Sequence, residues 1–184
     1  MPGRSIVEAW GSSATERNAA YPCDGLIERP DLVLFRAIDV AAPPPLVFRW
    51  LCQLRVAPYS YDLIDNRGRR SPRSLTPGLD SLEVGQRFMI FRLVSFEEGS
   101  SITLDSTTRL FGRVAVTYRV SPGSGAANRL VAKLVVAVPP GPLGLVNRHL
   151  LPAGDLIMMR KQLRTLKALA ERSASAPEFA QGLS

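Results

Sequence analysis

The apolar positions of this chain change period twice. From Leu32 to Val40 they alternate, with Leu32, Leu34, Arg36, Ile38 and Val40 on one side and Val33, Phe35, Ala37 and Asp39 on the other. That two-residue repeat predicts a strand. Pro43, Pro44 and Pro45 follow; prolines stop strand pairing and preset the first turn of a helix. Over Leu46–Leu54 the stripe Val47, Leu51 and Leu54, flanked by Phe48 and Trp50, predicts a short helix with one buried side. Strand-like runs then return. Gln86–Phe96 is apolar and aromatic, and Glu97-Glu98-Gly99-Ser100 turns the chain into Ile102–Thr108. In Phe111–Val120, Val114, Val116, Tyr118 and Val120 oppose Arg113, Ala115, Thr117 and Arg119, so one face meets water. After the turn Pro122–Ala127, the residues Leu130, Ala132, Leu134, Val136 and Val138 lie opposite Arg129 and Lys133. A Pro/Gly block, Pro139–Gly144, ends the sheet. Past the helix-start signals Pro152 and Asp155, Leu156, Met159, Leu163, Leu166 and Ala170 recur at steps of three and four, with Arg160, Lys161, Arg164 and Lys167 on the other faces.

Strands joined by short turns pair antiparallel, and a twisted sheet of this size curls so that its concave apolar face needs a cover. The last helix has the stripe to supply it. The expected fold is α+β: a curved antiparallel sheet gripping a long C-terminal helix, with short helices after the first strand. Residues 1–20 lack periodicity and read as a flexible arm, 21–172 as one domain, and 173–184 as a tail. Between Arg55 and Leu82 the chain is irregular and rich in Gly, Pro, Asn and Ser, the composition of a lid or binding segment.

Composition narrows the function classes. At 184 residues, with 46% hydrophobic and 21% charged content, the chain is globular. Its net charge of +7 rests mainly on arginine, lysine occurring only at Lys133, Lys161 and Lys167. A basic surface attracts nucleic acid, anionic lipid or acidic ligands. The sequence shows no helix-turn-helix, zinc-finger or RNP-type pattern, and the basic loop Arg67, Arg69, Arg70 and Arg73 has no interleaved aromatics for stacking bases, so no nucleic-acid partner is expected. That loop reads either as a phosphate or anionic-lipid contact or as a solvated segment. Cys23 and Cys52, without a secretion signal, read as reduced thiols of a cytoplasmic protein. No run reaches the roughly 20 apolar residues of a membrane span. His149 is the sole histidine, which rules out multi-histidine metal sites, and neither GxGxxG, P-loop nor CxxC occurs; no cofactor and no metal is expected.

Several stretches are similar to the helix-grip superfamily, often grouped as SRPBCC, which includes START lipid-transfer domains, birch-pollen-allergen-like proteins and polyketide cyclase/dehydrase-like proteins. FRAIDVAAPPPLVFRWLCQL resembles its strand–AP–helix entry, with Ala42-Pro43 at the junction; APYSYDLIDN, LEVGQRF and DLIMMRKQLRTLKALAE complete the likeness, which runs from about Leu32 to Ala170. The YSYD segment looks like a bacterial polyketide cyclase-like branch. The resemblance implies a cavity between sheet and C-terminal helix that binds a hydrophobic or amphipathic small molecule. It carries over no catalytic set. A polyketide cyclase/aromatase-type enzyme and a non-catalytic partner-binding module are the alternatives.

In such a fold the parity of Arg36 points its guanidinium at the cavity, where it would anchor an acidic or enolate-like group. Otherwise it is satisfied internally, by a partner such as Asp62 or Asp105, or reaches water along its stem. Trp50, Tyr59 and Tyr61 suit a pocket mouth that is apolar yet orients one hydrogen bond, or they simply pack the irregular loop. Tyr118, on the valine-bearing face of its strand, donates either to a ligand or to an internal acceptor. Phe91 and Met159 complete the expected ligand-binding set, Met159 lying in the core stripe of the last helix.

Overall fold

The structure, a computed structural model, describes residues 5–60, 70–123, 125 and 127–176. Its strands are β1 (Ala9–Trp10), β2 (Leu32–Val40), β3 (Arg87–Phe88), β4 (Phe91–Glu97), β5 (Ser101–Thr108), β6 (Gly112–Pro122) and β7 (Asn128–Ala137). The helices are α1 (Ala14–Asn18), α2 (Pro44–Cys52) and α3 (Pro142–Ala174). The strands form one curved sheet of order β1-β2-β7-β6-β5-β4-β3. From β2 to β3 every pairing is antiparallel, as the short turns require, whereas β1 adds to β2 in parallel. The sheet is therefore mixed. Prolines open α2 without a side-chain cap, and its Leu46, Val47, Phe48, Trp50, Leu51 and Cys52 are all buried.

Alternation sorts the sheet into two cores. Leu34, Val40, Leu93, Ile102, Leu104, Val116, Tyr118, Val120, Leu130, Ala132 and Leu134 pack on the inner face against α2 and α3, whose Met159, Leu163, Leu166, Leu169 and Ala170 complete the cluster. On the outer face Phe35, Ala37, Ala115, Val131 and Val135 are covered by Tyr21, Cys23 and Ile27. Residues 5–18, aperiodic in sequence, are thus built into the sheet. Ala9 and Trp10 pair with Phe35 and Arg36, a Ser13–Glu16 capping box opens α1, and Arg129 binds Glu16 at 2.7 Å and Asp39 at 2.8 Å. A two-residue strand and a five-residue helix are too short to leave a period in sequence.

The C-terminal helix begins at Pro142, and Pro152 lies inside it rather than at its start. A mid-helix proline forfeits the i→i−4 hydrogen bond and crowds the preceding turn. Here the Pro152 carbonyl also accepts from Arg36 Nη2 at 3.2 Å, so a neighbouring strand supports the backbone at that turn. Among the described residues no helix is long and apolar enough to cross a membrane.

Candidate functional site

Register brings the expected polar residues into one row. Arg36 on β2 and Tyr118 on β6 both pair with Ala132 of the intervening β7. At the usual strand spacing their Cα atoms are about 10 Å apart, separated by a methyl side chain. Above this row runs α3, whose Asp155, Met159 and Gln162 fall at steps of four and three and face the sheet.

Arg36 is fully buried and is held entirely by the protein. Its Nη2 lies 2.8 Å from Asp155 Oδ2 and its Nε 3.0 Å from the same oxygen; Nη1 donates to the Phe35 carbonyl at 2.8 Å. The internal partner is thus Asp155, not Asp105, which is bonded to Arg113 at 3.0 Å; Asp62 lies outside the described residues. Asp155, read in sequence as a helix-start residue, is the counterion of the most buried arginine. Loss of water pushes its carboxyl up from 3.8 to about 6, burial outweighing the pull of Arg36 in the other direction. Burial likewise draws the Arg36 guanidinium below its ordinary value, with Asp155 opposing.

Tyr118 is bonded internally as well. Its hydroxyl donates to Gln162 Oε1 at 2.7 Å and lies 3.6 Å from Met159 Sδ, while Gln162 Nε2 donates to the Pro58 carbonyl at 2.6 Å. Burial holds the phenol well above the usual tyrosine range. Gln162 was missed from the sequence although a signal was there: a polar residue three positions after Met159, beside the buried Met159–Leu163–Leu166 stripe. Trp50 is buried and donates its indole N–H to Ser173 Oγ at 3.2 Å. It meets Tyr59 edge-to-face, with centroids 6.1 Å apart. Phe91 packs half-buried on the inner core from β4, on the far side of the sheet. Tyr61 lies outside the described residues.

Open space among the described residues is found away from this row. A recess of about 310 Å³ lies on the flank of α3, lined by Tyr59, Ser60, Ser71, Pro72 and Arg73 on one wall and by Lys161, Arg164, Thr165, Ala168, Leu169 and Arg172 on the other. Of the expected ligand-binding residues only Tyr59 is in this lining. Tyr59 is held at φ 55, the left-handed region that an aromatic residue rarely adopts. Such strain persists only where surrounding structure enforces it; here the edge-to-face contact of Trp50 is one such constraint. Among the described residues Arg73, Lys161, Arg164 and Arg172 form no ion pair and none that lines the recess is acidic. The lining combines the apolar Pro72, Ala168 and Leu169 with the four cations. Sequence reading assigned Lys161 and Arg164 to solvated helix faces; only the return of the chain at Ser71–Arg73 encloses them. Among the described residues no cluster of His, Cys, Asp and Glu could hold a metal ion.

No protein-family model matches this sequence, and no curated protein is significantly similar to it. Solved structures do match the fold. The di-domain aromatase/cyclase StfQ of the steffimycin biosynthetic pathway superposes with a TM-score of 0.54 at 17% identity, over 81% of this chain and 54% of StfQ. The chain thus spans about half of that protein's length. The Zhui aromatase/cyclase from Streptomyces gives 0.52 at 16% identity, over 78% of this chain and 96% of that one. TTHA0849 from Thermus thermophilus gives 0.51 at 18%, over 78% and 99%. With its order of elements, its curved sheet and its closing helix, the chain has the helix-grip fold, the fold that its sequence resemblance implied.

Proposed function

We propose that this protein binds an amphipathic small molecule with an anionic end in the recess between α3 and the Tyr59–Ser60 and Ser71–Arg73 segments. The observation that carries this reading is the set of Arg73, Lys161, Arg164 and Arg172, cations without carboxylate partners among the described residues, in one recess with apolar Pro72, Ala168 and Leu169. Unneutralised cations at a concave surface focus potential onto an incoming anion, and arginine's planar fork matches carboxylate, sulfonate or phosphate oxygens. A volume of about 310 Å³ is at the small end of ligand pockets, so the ligand is of one- or two-ring size. Arg36 and Tyr118 act indirectly: their bonds to Asp155 and Gln162 fix the position of α3, which forms one wall.

A matched pair of probes tests this. Naphthalene-2-carboxylate should bind at least about tenfold more tightly than naphthalene-2-carboxamide, and should raise the melting temperature as its concentration exceeds Kd. The double variant Arg73→Glu with Arg164→Glu should abolish the preference while melting like the parent in the absence of probe. Equal affinity for acid and amide, or a preference that survives the charge reversal, would sink the proposal.

A further inference from the structure

The outward side of α3 is apolar where a solvated helix would be polar. Leu143, Val146, Leu150, Ala153 and Ile157 succeed one another at steps of three and four. Leu143, Val146, Leu150 and Ile157 are 40, 50, 67 and 58% exposed. At 1.5 Å per residue the stripe is about 21 Å long. The same stepping then reaches Lys161 and Arg164, so the side that begins apolar continues cationic.

Two hairpin tips extend this surface. Leu110 and Phe111, in the β5–β6 turn, are exposed, and Asn147 of α3 fastens the turn by donating to the Leu110 carbonyl at 2.6 Å. Ile90, in the β3–β4 turn, is 62% exposed, and its carbonyl accepts from Ser106 near the same end of β5. Scattered exposed apolar residues need no explanation, whereas a helix face and two loops gathered at one end of a sheet do. The charges along the stripe are mainly cationic: Arg109 and Lys161 are exposed, Arg148 is exposed but paired with Asp31, and the one carboxylate between residues 142 and 165, Asp155, is turned inward to Arg36.

We infer that this end of the molecule docks on an anionic membrane surface, with the first half of α3 lying in the plane between headgroups and acyl chains. Apolar side chains on one side of a helix, with cations beside and beyond them, are the requirements for interfacial binding. A second copy is the poorer occupant, because self-association would bring Arg109 and Lys161 of one copy against like charges of the other.

The test is co-sedimentation of the full chain with vesicles of phosphatidylcholine alone or with about 30% phosphatidylserine. The parent should bind the anionic vesicles at least about tenfold more strongly, and less so in high salt. Leu150→Gln combined with Ile157→Gln removes exposed side chains outside the recess; it should leave melting unchanged and weaken vesicle binding about tenfold or more. Equal binding to both vesicle types, or undiminished binding by the double variant, overturns the inference. So does a parent dimer that the double variant converts to monomer, because the stripe would then be a self-interface.

Discussion

Arg36 and Asp155 meet inside the protein, and each is costly there without the other. The carboxylate is short of water, so its proton is held up to about pH 6, and the guanidinium is the main influence pulling the other way. A carboxyl whose folded value exceeds its unfolded value stabilises the fold below about 3.8, and that stabilisation is lost as pH rises through about 6. Replacing Arg36 with Met removes the one cation that pairs with Asp155 among the described residues and moves its titration higher still. The variant should be less stable than the parent by about 3–5 kcal/mol at pH 8, where an uncompensated carboxylate stays buried. The deficit should shrink markedly at pH 4, where the carboxyl is protonated. Urea unfolding at the two pH values measures both, and a deficit independent of pH would show that Asp155 is not its source. The sequence made Arg36 conspicuous, as a charge on an apolar parity. It could not name the partner, since Asp155 is 119 residues away and near a proline that marks helix starts elsewhere.

Secondary elements here are positioned by close backbone approach as much as by apolar stripes. Gly144 is in the first turn of α3 and is buried; a β-carbon there would sit 1.9 Å from the Pro139 carbonyl oxygen. Glycine to alanine inside a helix ordinarily stabilises by up to about 1 kcal/mol. At this position the sign should reverse. Gly144→Ala should destabilise by about 1–3 kcal/mol, because the helix start must move off the strand exit. Thermal unfolding alongside the exposed control Gly154→Ala, where a β-carbon would meet nothing within 4 Å, separates packing from propensity. The strands β2 and β5 to β7 and the buried half of α3 were legible because their periods run for many residues. The first half of α3 was not, since Pro152 resembles a helix start and residues 142–151 carry exposed leucines with no inward stripe to set a period. The recess was equally hidden, because its two walls come from segments about ninety residues apart that only the fold apposes.

At the scale of the whole molecule the sheet is covered twice, by α2 and α3 on one face and by the N-terminal segment on the other. Tyr21, Cys23 and Ile27 shield Phe35, Val131 and Val135. Lys133 is tied across this layer to Asp24 at 2.5 Å, and the Arg119 guanidinium lies 4.2 Å from the centre of the Tyr21 ring. Deleting residues 1–27 should expose that outer cluster and leave Lys133 without its carboxylate. Each large apolar side chain returned to water costs on the order of 2 kcal/mol, so the truncated chain should lose a large part of its stability and bind more of a hydrophobic dye than the full chain does. A truncated chain with unchanged melting and no added dye signal would show that the layer is decorative. Patterning alone predicted a one-sided sheet, because residues 5–27 provide only scattered apolar side chains to the second face.

The ends of the sheet have a bearing on how concentrated the protein can become. The edge beyond β2 is occupied at intervals: β1 takes up Phe35 and Arg36, Lys167 donates to the Asp39 carbonyl at 2.6 Å, and Glu171 receives the Ala41 amide at 2.8 Å. At the opposite rim β3 is two residues long and carries Arg87 across from Arg92 on β4, a pair of like charges that any incoming ribbon would have to tolerate. Fibrils grow by adding a stranger's strand to a vacant, flat, neutral border. Among its described residues this molecule offers an interrupted border at one side and a short, charged one at the other, so it should withstand crowding without seeding cross-β assembly.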